Sequence, residues 1–170
     1  DSAEKKLTQT KDAEFAEREK SPLRTYTGPT AYGTLGLSFP KTWSAYIDEG
    51  GGANNPLNGF LNPSFVPGVQ ANSQKYNVAL RFQVLGTSYT TNVRALDAQV
   101  KAGKIKTTAY EAPKVKGTVG VRVDGQVATG KQGSMVILPL RDKTLKVWTE
   151  SPQFATDFDT IILPNLTFVP

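Results

Sequence analysis

The sequence predicts an α+β domain in which an antiparallel β-sheet is flanked by helices. Short runs that alternate apolar and polar residues recur along the chain, at the period of a strand. Turn formers punctuate them, with 15 Gly and 11 Pro among 170 residues. Helical spacing is confined to two segments beyond the charged start. Strands grouped apart from helices favour an antiparallel sheet over alternating strand–helix units.

Residues 1–23 are set apart by composition. Six acidic and six basic residues fall between Asp1 and Arg24, and Leu7 and Phe15 are the large apolar groups up to Pro22. Good helix formers abound, yet no continuous apolar stripe exists to bury. This stretch reads as a polar linker or juxtamembrane helix, with the domain proper over 24–170. The chain starts at Asp1 rather than Met, so a processed or removed upstream segment is expected to carry an anchor or targeting signal.

The first strand is expected over Thr34–Phe39, with Leu35, Leu37 and Phe39 on one face. Pro40, which has no amide to donate, closes it. Trp43–Ile47 alternates again, so a tight connection between neighbouring strands is predicted. From Asp48 to Asn77 the pattern is irregular, with a short strand at Leu57–Leu61. Asn77–Leu85 is a clear strand. A helix follows, capped by Thr91 or Asn92, with Val93, Leu96 and Val100 as its apolar face and Gly103 as its stop. Strands are then expected at Thr107–Ala112, Thr118–Val123, Gln132–Leu140 and Thr144–Thr149. Asp124-Gly125 is the turn between two such runs. Ser151-Pro152 opens a second helix that buries Phe154, Phe158, Ile161 and Ile162 and stops at Pro164. Leu166 and Phe168 form a last strand.

Certain chemistries are poorly served by this composition. There is no His and no Cys, which removes the usual neutral-pH base, thiol nucleophiles, disulfides and thiolate zinc sites. No apolar run reaches the ~20 residues that cross a bilayer as a helix. The net charge of +5 is concentrated: from Val93 to Lys131 eight basic residues face three acidic ones. Arg and exposed aromatics, the usual companions of a nucleic-acid surface, are sparse there, so no nucleic-acid partner is expected.

Tyr32-Gly33, Leu37-Ser38-Phe39-Pro40 and Trp43, then the run from Val121 to Ala128, and finally Phe154, Phe158, Ile161-Ile162-Leu163 and Leu166-Thr167-Phe168 resemble the PsbP-like family. Its parent is an extrinsic subunit of photosystem II. The resemblance covers roughly 26–169 and rests on core and turn residues, so it reports a fold rather than a site. It implies an α/β/α sandwich around an antiparallel sheet and a mostly non-enzymatic, extracytoplasmic protein, often tethered at its N-terminus. It brings no catalytic motif and no cofactor.

Two candidate sites emerge. The first is a partner-binding loop at 48–76, carrying Asp48, Asn54, Asn55, Phe60, Phe65, Val66 and Val69, because long irregular loops in compact domains tend to be functional. The second is an anion-binding patch of Lys101, Lys104, Lys106, Lys114 and Lys116, suited to an anionic envelope polymer or a lipid headgroup. Asp48-Glu49 and Asp157 with Asp159 supply too few oxygens for calcium, so no metal is expected. A hydrolase would need an unusual base, with Lys131 and Ser134 as the pair to consider. The sequence thus predicts a non-catalytic extracytoplasmic module, anchored through a segment preceding Asp1, that associates with an envelope or surface protein.

Overall fold

The computed structural model describes residues 23–63 and 77–170. Their strands are β1 (Leu23–Thr27), β2 (Gly36–Pro40), β3 (Trp43–Asp48), β4 (Leu57–Pro63), β5 (Leu80–Leu85), β6 (Ile105–Glu111), β7 (Val119–Ala128), β8 (Lys131–Leu140) and β9 (Lys143–Thr149). Short helices α1 (Tyr89–Arg94) and α2 (Asp97–Lys101) follow β5, and a helical run over 152–165 follows β9. β1 and β2 pair as a separate hairpin; the other strands form one sheet in the order β3-β4-β5-β9-β8-β7-β6, every pairing antiparallel. This is the α+β architecture the sequence predicts. The sheet consists of two meanders, β3-β4-β5 and β6-β7-β8-β9, joined where β5 pairs with β9.

Strand alternation divides the sheet into two faces. Leu80, Phe82 and Val84 of β5, Val136, Leu138 and Leu140 of β8, and Leu145 and Val147 of β9 point into the larger core. The β2 residues Leu37 and Phe39 cover it, together with Phe158, Ile162, Leu163, Leu166 and Phe168 from the end of the chain. Met135, Ile137 and Trp148 point to the opposite face, where Tyr89 and Leu96 of the α1–α2 region pack against them. Helical structure therefore lies on both sides of the sheet, with the β1–β2 hairpin sharing one outer layer.

Several elements differ from the sequence reading. β1 was not anticipated; it pairs Thr27 with Gly36 through to Leu23 with Pro40. The predicted tight link between β2 and β3 is present, but it leads from one sheet to the other. The helix begins earlier than expected: Ser88 is the cap, accepting the Thr91 amide at 3.3 Å. Asn92 is instead buried inside α1, donating to the Thr87 and Ser88 carbonyls and to Thr144 Oγ1 of β9. Val100 is exposed, because the helix breaks after Arg94 and α2 carries it away from the sheet.

Asp124-Gly125 is not a turn. β7 continues to Ala128, and the reversal falls at Thr129-Gly130, where Gly130 has φ 71°. Gly125, with φ 129°, lies where a Cβ would strike the Lys104 carbonyl; the residue marks a close backbone approach. Pro164 does not stop the last helix. The run passes from a 3-10 turn (Pro152–Phe154) through α3 (Ala155–Asp157) and a π turn (Phe158–Ile162) to a 3-10 turn (Leu163–Asn165). Pro164 sits in the first turn of that final piece, where its missing amide costs nothing. The expected closing strand shrinks to one bridge, Gly36 to Thr167.

Candidate functional site

β3 ends at Asp48, and the chain reverses over 49–56 before β4. Asp48 Oδ1 accepts the Gly50 amide at 2.8 Å, a local turn that Asp forms readily. Gly52, at φ 79°, supplies the left-handed residue. The Gly86 amide donates to the Asn54 carbonyl at 2.9 Å. In the orientation that satisfies both its ends, the Asn55 amide donates to the carbonyls of Leu57 and Val84, at 2.9 and 3.2 Å. Residues 48–54 are thus exposed, yet the loop is braced at both ends.

With Tyr32 and Lys143, the loop residues Glu49, Gly50, Gly52, Ala53 and Pro56 line a pocket of about 390 Å³. Glu49 Oε1 accepts the Tyr26 hydroxyl at 2.6 Å. Burial, reinforced by that bond, holds the Tyr26 phenol well above its ordinary ionisation range. The Lys143 ammonium lies 6.0 Å from the Tyr32 ring centre and 3.2 Å from Asp142. Asp142 is held below the ordinary carboxylate range chiefly by its hydrogen bond to Lys143. The pocket therefore offers a carboxylate, an ammonium and an aromatic wall around open glycine backbone. Such a set can grip a polar group with both donor and acceptor ends.

The predicted loop does not form one surface. Asp48 and Asn54 lie at its exposed start, and Asn55 turns inward as a brace. Phe60 is buried in β4, its ring tilted against Tyr46 with centres 6.3 Å apart. Phe65, Val66 and Val69 lie outside the described residues, as does nearly all of the 1–23 segment. Tyr32 and Lys143, neither of which the sequence marks as a site residue, reach the pocket from a 3-10 turn (Thr30–Tyr32) and from β9. No local spacing links three such distant segments.

The five lysines are all exposed, but they are not one patch. Lys101, Lys104 and Lys106 sit at the start of β6; Lys114 and Lys116 follow its other end. At about 3.3 Å per residue, this seven-residue strand holds the groups roughly 20 Å apart. Lys114 Nζ donates to Asn165 Oδ1 at 3.2 Å.

Lys131 and Ser134 do not form a catalytic pair. Three positions apart on a strand, they fall on opposite faces. Ser134 donates to Asp124 Oδ1 at 2.6 Å, and Lys131 is hydrogen-bonded to Glu150. Glu150 is fully buried and also receives Arg81 Nη1 at 3.3 Å. The Arg81 guanidinium lies between the Phe60 and Trp148 rings, 4.2 and 4.8 Å from their centres. Desolvation lowers its proton affinity, and the Glu150 charge opposes that effect. This buried Arg81–Glu150–Lys131 triad bridges β5, β8 and the end of β9, and nothing in the sequence pattern reveals it. Asp159 pairs with Arg122 at 2.8 Å, and no cluster of three or more potential metal ligands occurs among the described residues. No helix among them is long and apolar enough to cross a membrane.

Fold and site together define a mixed α+β domain with an all-antiparallel sheet and a braced, pocketed hairpin loop. No protein-family model matches the chain, and no curated protein does. Among solved structures it is similar to the solution structure of cyanobacterial PsbP (CyanoP) from Synechocystis sp. PCC 6803. The identity is 12%, the match covers 86% of this chain and 92% of that chain, and the TM-score is 0.43. A likeness of that degree carries no argument about family or role.

Proposed function

We propose that this chain is a non-catalytic binding or assembly module that works outside the cytoplasm and associates with an envelope or surface protein through its β3–β4 loop. One domain over 24–170 would carry this role, with 1–23 as a polar tether to an anchor. The observation that supports it is the pocket: exposed loop residues held in one conformation by Asp48, Asn54 and Asn55, facing Tyr32 and Lys143. A preformed loop loses little conformational entropy on binding, and its two charges select a polar side chain or chain terminus of the partner. The lysines give no comparable focus for a polymer, because β6 keeps them in two groups.

Site-specific photo-cross-linking tests the reading. A benzoylphenylalanine replaces Ala53 in one sample and Gln153, exposed on the helical run, in another; each protein is irradiated with a cell-envelope fraction. The reading expects a discrete adduct at position 53, absent at position 153, and lost when Tyr32→Ala and Lys143→Glu are added. Equal adducts at both positions, or none at 53, defeat it.

A further inference from the structure

We infer that the outer edge of β6 is a docking strand for an extended peptide segment of a partner protein, carrying acidic residues at both ends. Among the described residues β6 is the last strand of its sheet and pairs only through β7. Lys106, Thr107, Thr108 and Ala109 are exposed in succession, so neither of its faces is covered at mid-strand. The phase of the free edge follows from one hydrogen bond. The Gln126 amide donates to the Lys104 carbonyl at 3.2 Å, so the backbone of Lys104 faces β7. By alternation Lys106, Thr108 and Tyr110 also turn their amides and carbonyls to β7. Thr107, Ala109 and Glu111 then present theirs outward, the pattern that an added strand reads.

Charge selects the occupant. Lysines bracket the edge, with Lys101, Lys104 and Lys106 at one end and Lys114 and Lys116 at the other, and none of them is in a salt bridge among the described residues. A second copy of this chain fits poorly. Antiparallel self-pairing centred on Ala109 would set Lys104 of one copy beside Lys114 of the other, and like charges so placed are destabilising. Edge lysines also deter indiscriminate strand addition. A strand of about seven residues with Asp or Glu at each end satisfies both the backbone and the lysines, in either direction. Its centre must be small or β-branched to lie beside Thr107, Thr108 and Ala109.

The test uses the full chain and fluorescence anisotropy with a labelled Thr/Val peptide flanked by two Glu residues at each end. Ala109→Pro removes an outward amide while leaving the β6–β7 ladder intact, since proline is tolerated on the free side of an edge. The variant should keep the parent's melting temperature and bind about tenfold more weakly, the worth of one or two hydrogen bonds. A peptide N-methylated at the amides that face β6 should lose binding to the unaltered protein by a similar factor, a readout independent of variant folding. Lys104→Glu with Lys116→Glu should abolish binding. If Ala109→Pro and the N-methylated peptide both leave affinity unchanged, or polyglutamate binds as tightly, the attraction is diffuse charge and the inference falls. It falls equally if the peptide does not bind, or if sedimentation shows a dimer that Ala109→Pro dissociates.

Discussion

Replacing Glu150 by Gln removes the one negative charge of the buried triad while keeping the side chain's shape. Glu150 is fully buried; its carboxylate receives Arg81, Lys131 and, at 3.4 Å, the Val78 amide. Glu150→Gln leaves two cations close together and largely out of water. Breaking a buried pair in this way costs about 3–5 kcal/mol, because the surviving charges keep their desolvation penalty. For a chain of this size each kcal/mol moves the melting temperature by roughly 2–4 °C, so a fall on the order of 10 °C is expected. Urea unfolding followed by tryptophan fluorescence measures the loss directly, and Trp148, stacked on Arg81, reports on the site itself. Adding Arg81→Met and Lys131→Met to Glu150→Gln should recover much of the stability, since neutral side chains of similar volume carry no such penalty. A loss below about 1 kcal/mol, the worth of an exposed ion pair, would show that water reaches the carboxylate and that this reasoning is wrong.

Other predictions follow from single contacts. Gly59→Ala should destabilise by about 1–3 kcal/mol in denaturant, since its Cβ would enter the Phe82 ring across the β4–β5 pair, and Phe82→Leu in the same protein should restore part of that. Tyr110→Phe should be neutral or stabilising by up to about 1 kcal/mol in the same assay, because the Tyr110 hydroxyl is buried without a partner among the described residues. The Tyr26 phenol, raised by burial and then by Glu49, holds its proton more tightly folded than unfolded. Its contribution to stability is complete below about pH 10 and is lost as pH climbs from there toward the folded value; ultraviolet titration should show a late ionising tyrosine that Tyr26→Phe removes. Asn92→Ala should cost about 1–3 kcal/mol by thermal melting, because it removes the side-chain bond to Thr144 that ties α1 to β9 and a donor to the Thr87 and Ser88 carbonyls.

Much of the architecture was legible because burial on one face imposes a period of two. Leu80–Leu85 and Val136–Leu140 could hardly be anything but strands, and Ser151-Pro152 begins the last helical run as expected, with Ser151 accepting the Gln153 amide. What misled were residues whose chemistry suits two places. Asp124-Gly125 looks like a turn, but its glycine serves a close backbone approach. Thr87 to Asn92 is almost all cap-forming residues, so the choice of Ser88 depends on where the sheet lets α1 dock. The site was less legible still. Asp48 and Asn54 belong to the right loop, while Tyr32 and Lys143 reach it only through the fold, and Lys131 and Glu150 meet only when β8 and β9 pair.

The junction between the two meanders has a kinetic consequence. Every other neighbouring pair in the large sheet joins strands consecutive in the chain, so each closes across a shorter separation. The β5–β9 pairing alone joins Leu80–Leu85 to Lys143–Thr149, and closing so long a loop carries a larger entropic barrier than any hairpin. Such a seam must wait for both halves, and it is where the halves would part first. The Arg81–Glu150–Lys131 triad and the Glu150–Val78 backbone bond lie on that suture. Their worth would then be felt in how slowly the molecule comes open, with less effect on how quickly it forms.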